Sequence, residues 1–218
     1  SVTLLSCAFF CTCPPLYCSM PHAKTLAAID LGSNSFRLEI SSFEHQQIQR
    51  AEYIKESVRQ GNGLDAERNL TREAMERGWA CLARFGERLR GFDPLHVRAV
   101  ATQTLREARN REAFVQRGSD LLGFPIDVIS GEEEARLIYR GVVSQLPPSD
   151  ERRLVMDIGG RSTEFVLGHG VQAEALASYR IGSVAWSMRY FPQGVLTAEA
   201  FANAELAARA VLDEALDT

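Results

Sequence analysis

Two short segments, AAIDLGSNSFRLEI around Asp30 and LVMDIGGRSTEFVLG around Asp157, share one layout. Each ends an apolar run on an aspartate, places a glycine two residues later, and follows it with small hydroxyl residues. A glycine there lets backbone N–H groups approach a ligand closely, and an aspartate facing those groups suits a phosphate or the metal ion that accompanies one. Ser35 of the first copy aligns with Ser162 of the second. One such turn is a weak signal, whereas two in register suggest a polyanion gripped from two sides. A third segment, ISGEEEARLIYRGVV, sets Glu132, Glu133 and Glu134 directly after a candidate N-cap, Ser130. Carboxylates in a first helical turn gain about 0.3 to 1 kcal/mol each from the helix dipole, so a structural reading covers at least two of the three. A carboxylate kept ionised there is also a standing proton acceptor for an attacking water, and spacing alone does not choose which one. Glu164, seven residues after Asp157, shares a strand face with Val166. That face is either the ligand cleft or solvent, and the pattern by itself favours solvent.

The elements that must hold these groups alternate between strand and helix. The first turn lies between a strand ending at Asp30 and another reaching about Phe43, and Gln47 to Glu56 supplies a third. After a Gly61–Gly63 turn, Thr71 is expected to cap a long helix with Met75, Trp79, Leu82, Phe85 and Leu89 on its apolar stripe, ended by Gly91. Trp79 and Phe85 are read as packing, and Cys81 as a small core residue. His96 to Ala101 reads as a buried strand, TQTLREARNREAFVQR as one helical pattern carrying Arg106, Arg109 and Arg111, and Ile126 to Ile129 as a short strand. QLPPSDERR connects to the second unit, whose later part gives a strand, a Gly182–Ser183 turn, an amphipathic helix, and a final helix capped by Thr197.

Composition bounds the rest. With 218 residues, 45% apolar, 24% charged and a net charge of −4, the chain carries no cationic footprint for duplex nucleic acid or an anionic membrane. Nothing approaches the ~18 apolar residues of a membrane span, so the chain reads as soluble. Cys7, Cys11, Cys13 and Cys18 cluster in a leader whose spacing is not that of a structural zinc site. Residues 1–23 read as a disordered or wrongly included leader, with a degenerate export signal and a metal tuft as alternatives, and Met20 as a candidate true start.

Together, Asp30-Leu-Gly-Ser-Asn-Ser35, ATQTLREA, ISGEEEARLI, DIGGRSTE and YRIGS, in that order, closely resemble the exopolyphosphatase and guanosine pentaphosphate phosphatase family, over its N-terminal portion. The resemblance implies an α/β fold similar to actin, Hsp70 and sugar kinases. Residues 24–136 would form an RNase H-like domain, and residues 137–218 the first part of a second, truncated copy. It implies Glu134 as the base for the attacking water, with Glu164 supporting it. Mg²⁺ would lie on Asp157, Glu164 and Asp30. Ser33, Asn34, Gly159, Gly160, Ser162 and Thr163 would donate to phosphate oxygens, and Arg106 would neutralise their charge. It further implies a cytoplasmic protein that is a homodimer when full length, acting on inorganic polyphosphate or a guanosine penta- or tetraphosphate.

Two departures stand out. Arg161 occupies the third glycine of the family's GGGST, where it would carry strain if that position needs positive φ, or would add a phosphate contact. Family members also extend well beyond residue 218, so the second unit reads as cut about halfway, and the fragment's activity is open. The leading function is release of orthophosphate from the end of polyphosphate. Alternatives are conversion of pppGpp to ppGpp, a non-catalytic sensor of (p)ppGpp or polyphosphate, and an ATP-dependent kinase of the same superfamily.

Overall fold

The computed structural model describes residues 24–44 and 47–213. The leader and its four cysteines lie outside the described residues. Along the chain run β1 (Lys24–Leu31), β2 (Phe36–Glu44), β3 (Gln47–Glu56), α1 (Arg72–Arg88), β4 (Val97–Ala101), α2 (Gln103–Glu107), α3 (Arg111–Leu122), β5 (Ile126–Val128) and α4 (Gly131–Val143). The second part holds β6 (Arg152–Ile158), β7 (Thr163–His169), β8 (Gln172–Tyr179), α5 (Ser183–Tyr190) and α6 (Ala198–Asp213).

Among the described residues the strands make two sheets, a mixed one ordered β3-β2-β1-β4-β5 and an antiparallel one ordered β6-β7-β8. The fold is thus α/β with a mixed sheet, and each sheet contains a three-strand meander entered through an aspartate turn. Strand β1 of the first sheet is buried on both faces. Ala27, Ile29 and Leu31 of β1 face a core with Leu82 and Phe85 of α1 and Phe114 and Leu122 of α3, whereas Ala28 faces the opposite way. There it joins Val100, Ile129 and five side chains of α4 (Ala135, Leu137, Ile138, Tyr139 and Val143), in one cluster with Val155 and Val166 of the second sheet. Helix α4, which contains the boundary expected at residue 136, is therefore wedged between the sheets. In strand pleating, Asp30 shares the side of Ala28, Asp157 that of Val155 and Glu164 that of Val166, so all three carboxylates face the space that α4 occupies.

The caps behave as their side chains dictate. Thr71 Oγ1 accepts from Ala74 N–H and Ser130 Oγ from Glu133 N–H, each filling a donor that a helix start leaves open. Thr197 Oγ1 likewise accepts from Ala200 N–H. The pattern read as one helix over TQTLREARNREAFVQR is interrupted, because the Asn110 side chain is drawn to Leu70. Its Oδ1 accepts from Leu70 N–H at 2.8 Å and its Nδ2 donates to Leu70 O at 3.0 Å. Cys81 is fully buried, and burial pushes its thiol up to about 12, so it is an inert core residue.

Phe114 anchors the larger core. Its ring stacks on Trp79 with centroids 5.8 Å apart, meets Phe36 edge-on at 6.5 Å, and leaves no space for a side chain at Gly78. Phe114→Ala is expected to cost about 3 to 5 kcal/mol, read as a lower urea midpoint with unchanged slope. No helix of the described residues is long and apolar enough to cross a membrane.

Candidate active site

The two aspartate turns meet. Both open onto one cavity of about 200 Å³, bounded by Gly32 to Ser35 on one side and Gly159 to Ser162 on the other. In each turn the glycine is required by close approach of the turn's own carbonyl. A Cβ on Gly32 would lie 3.0 Å from Ser35 O, and one on Gly159 would lie 2.9 Å from Ser162 O. The turns also abut, since a Cβ on Gly160 would be 3.5 Å from that of Ser33.

The hairpins differ in what they set opposite the aspartate. Antiparallel register pairs Asp30 with Arg37 in the first and Asp157 with Glu164 in the second. Arg37 Nη1 donates to Asp30 Oδ2 at 3.1 Å. Glu164 is buried, with 2% exposure, and accepts from Ser178 Oγ at 2.9 Å. The solvent-facing alternative for Glu164 is thus excluded: the packing of Val166 against α4 turns that strand face inward, which alternation alone could not reveal.

Helix α4 adds the fourth carboxylate. Glu134, the third of the run, is buried and lines the cavity, while Glu133 turns back to pair with Arg136. Arg106 Nη1 donates to Glu134 Oε2 at 2.7 Å and to Ile129 O at 3.0 Å, and its other nitrogens hold Gln103 Oε1. Despite this cation, burial and then the nearby Glu164 charge push the Glu134 carboxyl up to about 8. Burial likewise raises Glu164, against the hydroxyls of Ser162 and Ser178 and with the Asp157 charge adding to it. Burial also raises Asp157, against Arg37. Asp30 is raised by burial too, against the pull of Arg37 and with Asp157 adding to it. Four carboxyl groups around one small polar cavity, all above their ordinary range, describe a site short of positive charge.

Several residues expected here reach the cavity: Asp30, Ser33, Asn34, Glu134, Asp157, Gly159, Gly160, Ser162 and Glu164. Two do not line it. Thr163 donates its hydroxyl to Ile181 O at 2.5 Å, and Arg106 stands behind Glu134, in the wall of a neighbouring cavity of about 600 Å³. Arg161 is not among the residues with positive φ, so the strain reading falls away. Residues not singled out from the sequence include Arg37 and Gln103. Pairing the two strands of the first hairpin would have placed Arg37 opposite Asp30, and Gln103 opens the helix that carries Arg106.

The Ppx/GppA phosphatase family matches residues 40–218. The chain belongs to this family. Among solved structures it is similar to an exopolyphosphatase-like protein, at 31% identity and a TM-score of 0.81, over 90% of this chain and 62% of that one. It is similar also to an exopolyphosphatase from Cytophaga hutchinsonii, at 28% identity and a TM-score of 0.80, over 87% of this chain and 61% of the other. The Aquifex aeolicus PPX-GPPA enzyme aligns at 28% identity and a TM-score of 0.73, over 89% of this chain and 64% of that enzyme. This Ppx/GppA family chain thus spans under two thirds of the length of each of these relatives.

Can the Ppx/GppA site take Mg²⁺? No group of three metal-ligating side chains converges as a ready cage among the described residues. Mg²⁺ keeps most of its waters and is commonly held by one or two carboxylates together with substrate phosphates, so the donor set of Asp157, Glu164 and Asp30 fits it.

Proposed function

We propose that this protein hydrolyses the terminal phosphoanhydride of inorganic polyphosphate and releases orthophosphate. The observation that carries the reading is the convergence of both aspartate turns and Glu134 on one cavity. The Ser33–Asn34 and Gly159–Ser162 turns would surround the terminal phosphoryl group, offering amide and hydroxyl donors from two sides. A water held by Glu134 would attack the terminal phosphorus in line with the bridging oxygen. Its proton would pass to the Glu134 carboxylate, the P–O bond to the bridging oxygen would break, and that oxygen would leave with the shortened chain. Arg106, bonded to Glu134, would keep the carboxylate aimed and favour its ionised form. Mg²⁺, held by Asp157, Glu164 and Asp30, would neutralise phosphate charge.

The size of the cavity supports an end-group reader. About 200 Å³ of polar space suits a phosphoryl group and falls below the usual range for a nucleoside-sized ligand. The same chemistry would serve the 5′ end of pppGpp, which stands as the second substrate. Cytoplasmic location and pairing of two full-length copies belong to the same proposal.

The test compares phosphate release from long polyphosphate, tripolyphosphate and pppGpp with Mg²⁺, using the 218-residue chain and its longest natural form. Release from polyphosphate at a higher kcat/KM than from pppGpp is the expected result. Binding without release of phosphate from any of the three would replace the hydrolase with a sensor.

A further inference from the structure

Arg161 sits in the second turn, but its guanidinium is committed to the first domain. Nη1 donates to Gly61 O at 3.2 Å and Nη2 to Glu107 Oε2 at 3.1 Å, contacts across 100 and 54 residues of chain. The segment it grips backs the first turn. Gly61 N–H donates to Ser33 O and Arg59 N–H to Asn34 O, both at 2.8 Å, so Arg59 to Gly61 form a strap behind Ser33 and Asn34. The fit is close: a Cβ on Gly61 would lie 3.1 Å from Arg161 Cδ and 3.2 Å from Ser33 Cβ. At the other anchor, Glu107 also accepts from Gln103 Nε2 at 2.7 Å, and Arg180 stands 3.8 Å away. The Arg161 and Glu107 side chains are only 21% and 12% exposed, which limits screening of the pair.

We propose that Arg161 is a positioning residue that sets the spacing between the two anion-binding turns, with Glu107 and the Gly61 carbonyl as its anchors. Although Arg161 borders the cavity, its guanidinium serves the spacing of the turns and not the substrate. A planar guanidinium can make both bonds in fixed directions, and a lysine at this position could not. This inference rests on the proposed phosphate site, since the spacing matters only if both turns grip one anion.

The test is a double-mutant cycle with tripolyphosphate as the probe, measured by calorimetry on the 218-residue chain. Arg161→Gly and Glu107→Gln are each expected to weaken binding about tenfold, and the double variant no further than the worse single. Because the Arg161 guanidinium is engaged by Gly61 and Glu107, its charge is not spent on the substrate, and the slope of affinity against salt is expected to stay unchanged in Arg161→Gly, whereas loss of a phosphate contact would lower it by about one. Tighter or unchanged binding in Glu107→Gln, additive losses, or a lowered slope would each overturn the assignment. Arg161→Lys, which keeps the charge, is expected to match Arg161→Gly, and it completes the cycle if the glycine variant does not fold. Should the unmodified chain not bind tripolyphosphate, the phosphate reading fails by itself. Thermal midpoints of the same variants then decide the strut: non-additive losses support it and additive ones contradict it.

Discussion

Glu134→Gln is expected to lower kcat for phosphate release by about 10² to 10⁴, the range for losing a general base, with KM changed little. Glutamine keeps the shape and an acceptor for Arg106, so binding survives while the proton acceptor is lost. The pH dependence follows from burial. With its carboxyl raised to about 8, Glu134 is mostly protonated at neutral pH and becomes a base as pH rises, so kcat/KM is expected to climb through that range. Stability runs the other way. Below 4.5, the ordinary value for a glutamate, the carboxyl is protonated whether the chain is folded or not. Between 4.5 and about 8 the folded state retains a proton that the unfolded chain has released, so this group's contribution falls as pH rises. Glu134→Gln removes that slope. Unchanged kcat in the variant would take Glu134 out of the reaction, and an unchanged stability profile would show that its carboxyl titrates normally.

The second large effect concerns charge. Asp30, Glu134, Asp157 and Glu164 are all held above their ordinary range by burial, and three of the four are raised further by a neighbouring carboxylate. A polyanion entering such a cavity meets repulsion that Arg37 and Arg106, both engaged with carboxylates, only partly offset. A divalent cation resolves this on both sides at once. Chelation by EDTA is therefore expected to reduce phosphate release on the order of 10³-fold, with recovery on adding Mg²⁺. Asp157→Asn is expected to raise the Mg²⁺ concentration needed for half-maximal rate while leaving the fold intact. Full activity in EDTA would remove the metal from the account.

Much of this was legible in the sequence, for local reasons. The two turns announce themselves because Asp, Gly and hydroxyl residues recur at one spacing, and the caps at Thr71 and Ser130 because a helix start selects such side chains. The strands themselves can be read from the hydrophobic runs and the turns between them, whereas the parallel placement of β4 beside β1 and of β5 beside β4 cannot. What stayed hidden is tertiary. The inward aim of Glu164 depends on which face of β7 meets α4, and the break before α3 on Asn110 reaching Leu70, 40 residues away. The bond from Arg161 to Glu107 has no periodic signature at all, so the substituted glycine position could be read only as strain or as a phosphate contact.

The central claim is that two aspartate turns hold one terminal phosphoryl group while Glu134 faces it through a water. A crystal structure of the Glu134→Gln chain with tripolyphosphate and Mg²⁺ measures this directly. The account expects oxygens of one terminal phosphate within hydrogen-bond distance of donors from both the Ser33–Asn34 and the Gly159–Ser162 turns. Tripolyphosphate bound to a single turn, or seated away from residue 134, would contradict it.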